Sequence, residues 1–325
     1  MKTNAIVVHK IGGPENMSWE EIDVPGPSEN EVLVKQNVIG LNFIDTYFRS
    51  GLYPAPLPFT LGMEAAGVIE KVGHNVKDFK EGDRVAYASS PLGSYSEKRV
   101  FPIDNLVKIP SDISDELAAA IMLKGMTAEY LIRRTFKVIE GQTILFHAAA
   151  GGVGLIACQW LKAIGAKVIG TVGSQEKAEL AKANGCDYTI LYKEENFVEK
   201  VKEITNGQGV PVVYDSVGKD TAVLGLDCLS PLGLLVIFGN SSGNAPAIEP
   251  GLLAAKGSLY VTRPTLFSYN SNREKLMNSA EQVFNMIRQN KISIKIGARY
   301  DLKDAAQAHK DLEGRKTTGS ILLIP

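Results

Sequence analysis

The six residues from Ala149 to Gly154, Ala-Ala-Gly-Gly-Val-Gly, have the types and spacing to hold a pyrophosphate. They reproduce the G-x-G-x-x-G turn of dinucleotide sites, with Ala149 in place of the first glycine. A small first residue permits a tight exit from a strand. Bare backbone at Gly151 allows close approach to a pyrophosphate, and Gly154 lets the next helix pack close to the sheet. That helix would present unpaired N–H groups and its positive dipole end to the anion. A glycine triad alone is weak evidence, so its flanks decide. Thr143–His147 before it suits a buried parallel strand, and Ile156, Trp160 and Ile164 after it recur at i, i+4 and i+8 of one helix face. Lys167–Val172 then closes a strand-helix-strand unit. The charge-free stretch 141–161 is no membrane span. It carries Gln142, Thr143, His147, Gln159 and adjacent glycines, where roughly 20 predominantly apolar residues are needed.

The end of the second strand bears on which dinucleotide is bound. An NAD site places a carboxylate there for the ribose 2′-hydroxyl, whereas this chain has Thr171-Val172-Gly173-Ser174 and then Lys177. A hydroxyl and an ammonium, with nothing to repel a 2′-phosphate, favour NADPH. In the other reading, Ser174 caps a helix starting at Gln175 and Lys177 is a solvated charge.

Strand and helix alternation continues beyond this unit. Strands are expected at 187–191, 210–215, 234–238 and 258–262, with helices at 196–204 and 221–229. Six strands alternating with helices make an α/β, doubly wound parallel Rossmann sheet, whose ligands lie beyond the strands' carboxyl ends. That nominates the loops Ser216–Gly218 and Gly239-Asn240-Ser241 as cofactor lining. The first 120 residues differ: short apolar runs separated by PGPSEN, YPAPLP, VGHN and EGDRV read as a β-rich domain. Residues 304–312 are a helix candidate, and 319–324 an apolar strand that could return to the first domain.

A chain of 325 residues, 45% hydrophobic, is long enough for two domains. Its 35 basic and 36 acidic residues give no global pull toward nucleic acid or anionic lipid. Three scattered cysteines without a CxxC suit free thiols in a reducing cytosol. The apolar run Ala5–Val8 is too short for a signal peptide.

The strings LGMEAAGVIEKVGHNVKDFKEGDRV at 61–85, AAAGGVG at 148–154, YDSVG at 214–218 and FGNSSG at 238–243 resemble the medium-chain dehydrogenase/reductase superfamily. Within it, NFIDTYFRSGLYP at 42–54, HAAAGGVGLIACQWLKA at 147–163 and GSLYVTRP at 257–264 are similar to the zinc-free, zeta-crystallin-like quinone oxidoreductases. The resemblance implies a GroES-like catalytic domain from residues 1–124 and 294–325, a Rossmann domain at 125–293, and a homodimer. It further implies cofactor contacts from Thr127, Tyr130, Gly152, Val153, Tyr192, Phe238 and Arg315. Zinc ligation is broken: the Gly-His-Glu of the zinc enzymes reads Gly62-Met63-Glu64, no cysteine stands near Asn42–Asp45, and the four-cysteine structural loop is missing. One carboxylate cannot replace three protein ligands. Of the histidines, 9, 74, 147 and 309, His147 beside the glycine turn is the one to watch as a ligand, although each is better read as structural or surface.

Without a Lewis acid, a simple ketone lacks the electrophilic help that hydride addition requires, whereas a quinone is electrophilic already. The protein then needs mainly to hold the ring against the nicotinamide. Asn42, Tyr47, Tyr53 and Arg263 form the candidate substrate pocket: Asn42 to orient nicotinamide or substrate, the tyrosines to give flat faces and hydroxyls, and Arg263 to favour a developing oxyanion. Rival readings are reduction of enones, alkenals or enoyl thioesters, and a non-catalytic NADPH-binding structural protein. The near-neutral charge and the lack of an aromatic-basic motif argue against nucleic acid as partner.

Overall fold

The apolar runs between residues 143 and 262 become six parallel strands in a computed structural model that describes residues 1–325. Across the sheet they run Tyr188–Leu191, Lys167–Val172, Thr143–Phe146, Val210–Asp215, Leu229–Ile237 and Tyr260–Thr262. In chain order this is 3-2-1-4-5-6, the doubly wound Rossmann arrangement. Leu145, Ile169, Val213 and Leu235 occupy the sheet's interior and pack with Phe197, Ala222 and Leu226. Strand order reverses at Thr143–Phe146, and the glycine turn follows from the carboxyl end of that strand. The helix Gly152–Ile164 starts with Gly151 at its N-cap.

Several expected boundaries move. The helix expected at 221–229 is only Ala222–Gly225, followed by a tight turn, Leu226–Cys228. The strand expected from Leu234 begins at Leu229 and carries a register shift. Ser230, Pro231 and Gly233 interrupt the apolar pattern of its first half, with Leu232 in a left-handed conformation, so only Leu234–Ile237 reads as a strand. Ser258 also has a positive φ, which delays the last strand to Tyr260. The helix Arg273–Arg288, not foreseen, is amphipathic and buries Leu276, Ala280, Val283 and Phe284.

By packing, residues 124–269 and 285–293 form one unit, called the nucleotide unit, and residues 1–123, 270–284 and 294–325 form the other, called the catalytic unit after the role that the family resemblance implies. The catalytic unit is built on a seven-stranded sheet. Its path is Ile296–Asp301, Ser320–Ile324, Glu31–Leu41, Glu64–Val72, Arg84–Ala88 and Val107–Lys108, with Lys98–Pro102 also pairing to Glu31–Leu41. Lys2–Val8 lies between Met17–Asp23 and Phe59–Thr60 in a second sheet. The C-terminal strand runs antiparallel beside Ile39–Leu41, and Ile39, Leu41, Ile69, Val85, Ile321 and Leu323 share one apolar core. Among these strands sits one short helix, Phe43–Ser50. It opens in an Asn42/Asp45 capping box and closes on Gly51 at φ +82°. No helix in the protein is long and apolar enough to cross a membrane.

Two glycines of the turn do different jobs. A β-carbon on Gly154 would lie 2.5–2.7 Å from backbone atoms of Ala148 and Ala149, whereas one on Gly151 would meet only the Ala148 oxygen, at 3.1 Å. Gly154→Ala should therefore cost about 1–3 kcal/mol of stability, and Gly151→Ala clearly less. Denaturant unfolding of both variants checks this, and equal losses would contradict it.

Candidate active site

The nucleotide unit gathers most of the residues nominated from the sequence. Gly152 and Val153 open the helix after the turn, and no side chain caps its first N–H groups. They are donors that a pyrophosphate can accept. Ala149 is fully buried and its N–H binds the carbonyl of Thr171, fixing the turn to the second strand. At the end of that strand Gly173 stands against Tyr192: a β-carbon on the glycine would be 3.6 Å from the tyrosine ring. The Ser174 hydroxyl accepts from the Lys177 N–H at 3.4 Å, so Ser174 does cap the helix Gln175–Ala183. A capping hydroxyl keeps its own proton to donate, and capping therefore does not remove it as a phosphate ligand.

The loop after Val210–Asp215 is held in shape by a carboxylate, Asp215, whose role no stretch singled out in the sequence assigned. Asp215 is completely buried. Its Oδ1 accepts the N–H groups of Val217 and Gly218, at 2.7 and 3.0 Å, and its Oδ2 accepts the Thr221 hydroxyl at 2.7 Å. The N–H of Ser241 donates to the Ser216 carbonyl and that of Ser242 to the Val217 carbonyl, which locks 216–218 against 239–243. The spacing of Asp215, Gly218 and Thr221 is an Asx-turn signal and could have identified this anchor. Phe238 packs 5.7 Å from Phe146, and Asn240 is buried. Thr127 is buried too, and Tyr130 stacks on Tyr269 at 4.5 Å. Arg263 follows the last strand and donates to the Ile237 carbonyl at 3.1 Å. The turn, the two loops and the Gly173–Lys177 corner with Tyr192 thus have the donors and bare backbone that NADPH requires.

In the catalytic unit Tyr47 and Tyr53 pack together, and Asn42 caps the helix that carries Tyr47. The rings of Tyr47 and Tyr53 meet edge to face at 5.3 Å, and Tyr53 also meets Phe48 edge to face, at 5.6 Å. Asn42 is 5% exposed and donates through Nδ2 to Glu64 Oε2 at 2.7 Å. Glu64 Oε1 accepts the Leu123 N–H at 2.6 Å. The carboxylate left over from zinc ligation is thus committed to hydrogen bonds beside a buried Met63. Nowhere do three His, Cys, Asp or Glu side chains gather as a metal site would need. The donor set does not fit zinc. Arg315, also in this unit, is exposed just beyond the helix Ala305–Glu313, with its N–H on the Leu312 carbonyl.

A buried polar chain runs from Asn42 through residues that sequence reasoning missed. Asp45 Oδ2 accepts the Asn42 N–H at 2.8 Å and the Tyr95 hydroxyl at 3.0 Å. Tyr95 Oη is 3.0 Å from His309 Nε2, and Arg49 contacts His309 Nδ1 at 3.1 Å while pairing in fork geometry with Glu313 at 2.7 and 2.9 Å. Arginine can only donate, so Nδ1 accepts and the proton of neutral His309 sits on Nε2, directed at Tyr95. Burial, and then the Arg49 charge, push His309 down to about 3, while burial and then Asp45 push the Tyr95 hydroxyl well up. The long sequence separations hide this chain, since Arg49, Tyr95 and His309 share no motif. His147 is fully buried, with Nδ1 at 2.8 Å from the Thr171 hydroxyl, its ring edge-on to Phe197 and its Nε2 without a hydrogen-bond partner, and burial lowers its pKa. His9 and His74 are exposed beside Glu20 and Glu29.

The Rossmann order, the glycine turn and the separate β-rich unit define a medium-chain, dinucleotide-dependent dehydrogenase or reductase. The family model for the alcohol dehydrogenase GroES-like domain matches residues 28–111, and that for zinc-binding dehydrogenases matches residues 152–282. Quinone oxidoreductase of Pseudomonas aeruginosa is 55% identical, with 97% of each chain covered. The crystal structure of Escherichia coli quinone oxidoreductase complexed with NADPH superposes with a TM-score of 0.97 at 52% identity, covering 99% of this chain and 100% of that one. A 2-haloacrylate reductase from Burkholderia is 46% identical over 99% of this chain and 98% of its own. The chain belongs to the zinc-free quinone oxidoreductases of the medium-chain dehydrogenase/reductase superfamily.

The state of His309 makes a pH prediction. In the unfolded chain a histidine protonates near its ordinary value of 6.5, whereas folded His309 stays neutral down to about 3. Below pH 6.5 the unfolded chain binds a proton that the folded chain does not, so stability is lost as pH falls through that window. Between pH 7 and 5 the loss from this group is about 2 kcal/mol. Urea unfolding should show His309→Gln losing less stability than the parent over that interval by this amount; identical losses would contradict the assignment.

Proposed function

We infer that this protein is an NADPH-dependent quinone oxidoreductase that works without a metal. The observation that carries the reading is Glu64: the one carboxylate surviving from a zinc site is bound to Asn42 and Leu123, with Met63 where a ligand histidine would stand. Bound NADPH supplies the reducing equivalents. Backbone N–H groups at Gly152 and Val153 hold its pyrophosphate, and Gly154 sets the helix behind them. Ser174 and Lys177 take the 2′-phosphate, with Gly173, Tyr192 and Arg315 lining the adenosine end. Thr127, Tyr130, Ser216, Phe238, Gly239, Asn240 and Ser241 line the rest. Tyr47 and Tyr53 offer flat faces to a quinone ring, Asn42 orients, and Arg263 favours negative charge developing on the quinone oxygen.

A second reading is supported by the 2-haloacrylate reductase relative: conjugate reduction of an activated double bond, which shares the same need for an electrophile that requires no Lewis acid. We also propose a homodimer and a cytoplasmic setting. Tyr260–Thr262 is an edge strand with Tyr260 59% and Val261 36% exposed, the kind of edge that pairs with another copy. The three cysteines are free and buried, as suits a reducing compartment.

A panel of benzoquinones, naphthoquinones, enones, acrylates and unactivated ketones, followed by NADPH oxidation, tests the reading. Quinones should turn over fastest and unactivated ketones not at all; acrylates outpacing every quinone would move the assignment to the second reading. Lys177→Ala should weaken NADPH by about one to two orders of magnitude, the loss of one hydrogen bond to a charged group, and leave NADH nearly unchanged. Equal losses for both cofactors would remove Lys177 from the phosphate site.

A further inference from the structure

The Asn42 amide lies between two acceptors and can face them only one way. Its Nδ2 is 2.7 Å from Glu64 Oε2 and 3.4 Å from the Gly40 carbonyl. The Gly40 carbonyl has no proton to give, and in the capping box Asn42 Oδ1 accepts the Asp45 N–H, so the NH2 end must be the one that faces Gly40 and Glu64. Glu64 is held in place, because its Oε1 accepts the Leu123 N–H at 2.6 Å and its side chain is fully buried, so turning it would strand a buried polar group. Gly40 makes the room: a β-carbon there would collide with the Glu64 carboxylate and the Ala119 carbonyl. The backbone of Asn42 is held as firmly, by Asp45, which Tyr95 holds in turn.

With its NH2 spent, Asn42 offers only Oδ1, whose two lone pairs allow it to cap its helix and accept one bond more. An oxidised quinone has carbonyl acceptors and no N–H or O–H donor. It cannot pair with that oxygen. The nicotinamide half of NADPH has donors, in its carboxamide NH2 and ribose hydroxyls. We propose that Glu64 is a positioning residue of the reaction, which fixes Asn42 as an acceptor for the nicotinamide half of the cofactor and not as a donor to the substrate carbonyl. This rests on the reading that places Asn42 in the active site.

The test is an exchange of amide and acid. In Glu64→Gln the new side-chain oxygen must serve the Leu123 N–H, so its NH2 faces Asn42, and the Asn42 amide turns over to present a donor. NADPH affinity should fall about tenfold, the scale of one lost hydrogen bond, with the quinone KM and the melting temperature little changed. Adding Asn42→Asp should rescue the cofactor affinity to within about threefold of the parent, because the new carboxylate accepts from the glutamine and again presents an oxygen. Unchanged NADPH affinity in Glu64→Gln, or no rescue in the double variant, overturns the proposal. Asn42→Ala separates the two levels. If it binds NADPH and turns over quinone like the parent, Asn42 is not in the site and the proposal falls with that reading; if it alone loses affinity, only the role of Glu64 fails. A measurement on the parent protein covers variants that do not fold. The Asn42 side-chain NH2 resonances should stay slow to exchange when NADPH is added, and fast exchange on binding would overturn the proposal.

Discussion

A carboxylate sealed from water must be given hydrogen-bond donors, and in the catalytic unit Glu64 imposes that condition on everything near it. It takes one donor from the backbone at Leu123 and another from Asn42. Gly40 has to be a glycine for the carboxylate to fit. Asn42, drawn to Glu64, starts the helix Phe43–Ser50, which carries Tyr47 and leads into Tyr53. Asp45, holding the Asn42 backbone, then needs Tyr95, and Tyr95 is aligned by a neutral His309 that Arg49 keeps in one tautomer. Removing a single member leaves a buried polar group without its partner, which costs more than the bond itself contributed. The placing of this helix and its tyrosines therefore follows from one buried carboxyl group.

The nucleotide unit solves the opposite electrostatic problem. Its ligand carries the charge, and the protein answers with backbone dipoles and bare glycine at the helix start. At the far end, where a 2′-phosphate distinguishes the cofactor, the proposed site brings in charged side chains, Lys177 and Arg315. Asp215 serves the same end indirectly by spending its carboxylate on the N–H groups of its own loop. Chemistry divides accordingly. The protein's fixed groups bind and orient, and electrophilicity is left to the substrate, which is why quinones and activated double bonds both suit the fold's family.

Features carried by local constraints were legible in the sequence. The glycine turn announced itself because Gly154 must let backbone atoms approach within contact distance, and the strands through Leu145, Ile169 and Val213 read as short buried runs. The loss of the ligand histidine was legible from Met63. What depended on distant partners was hidden. Nothing near His309 in the chain points to Tyr95 or Arg49, and His147 drew notice only for its proximity to the turn. Strand Leu229–Ile237 was half seen because a left-handed Leu232 and a proline break its pattern. The helix Arg273–Arg288 escaped because its apolar positions are thinly spread among charged residues.

The central claim is that this site reduces a quinone with NADPH and its own residues alone. Single-turnover mixing of chelator-treated, metal-analysed protein with NADPH and 1,4-benzoquinone measures it directly. The account predicts one NADPH oxidised for each quinone consumed, at the rate of untreated protein and with no bound metal. A rate that collapses after chelation and returns on adding zinc would contradict it.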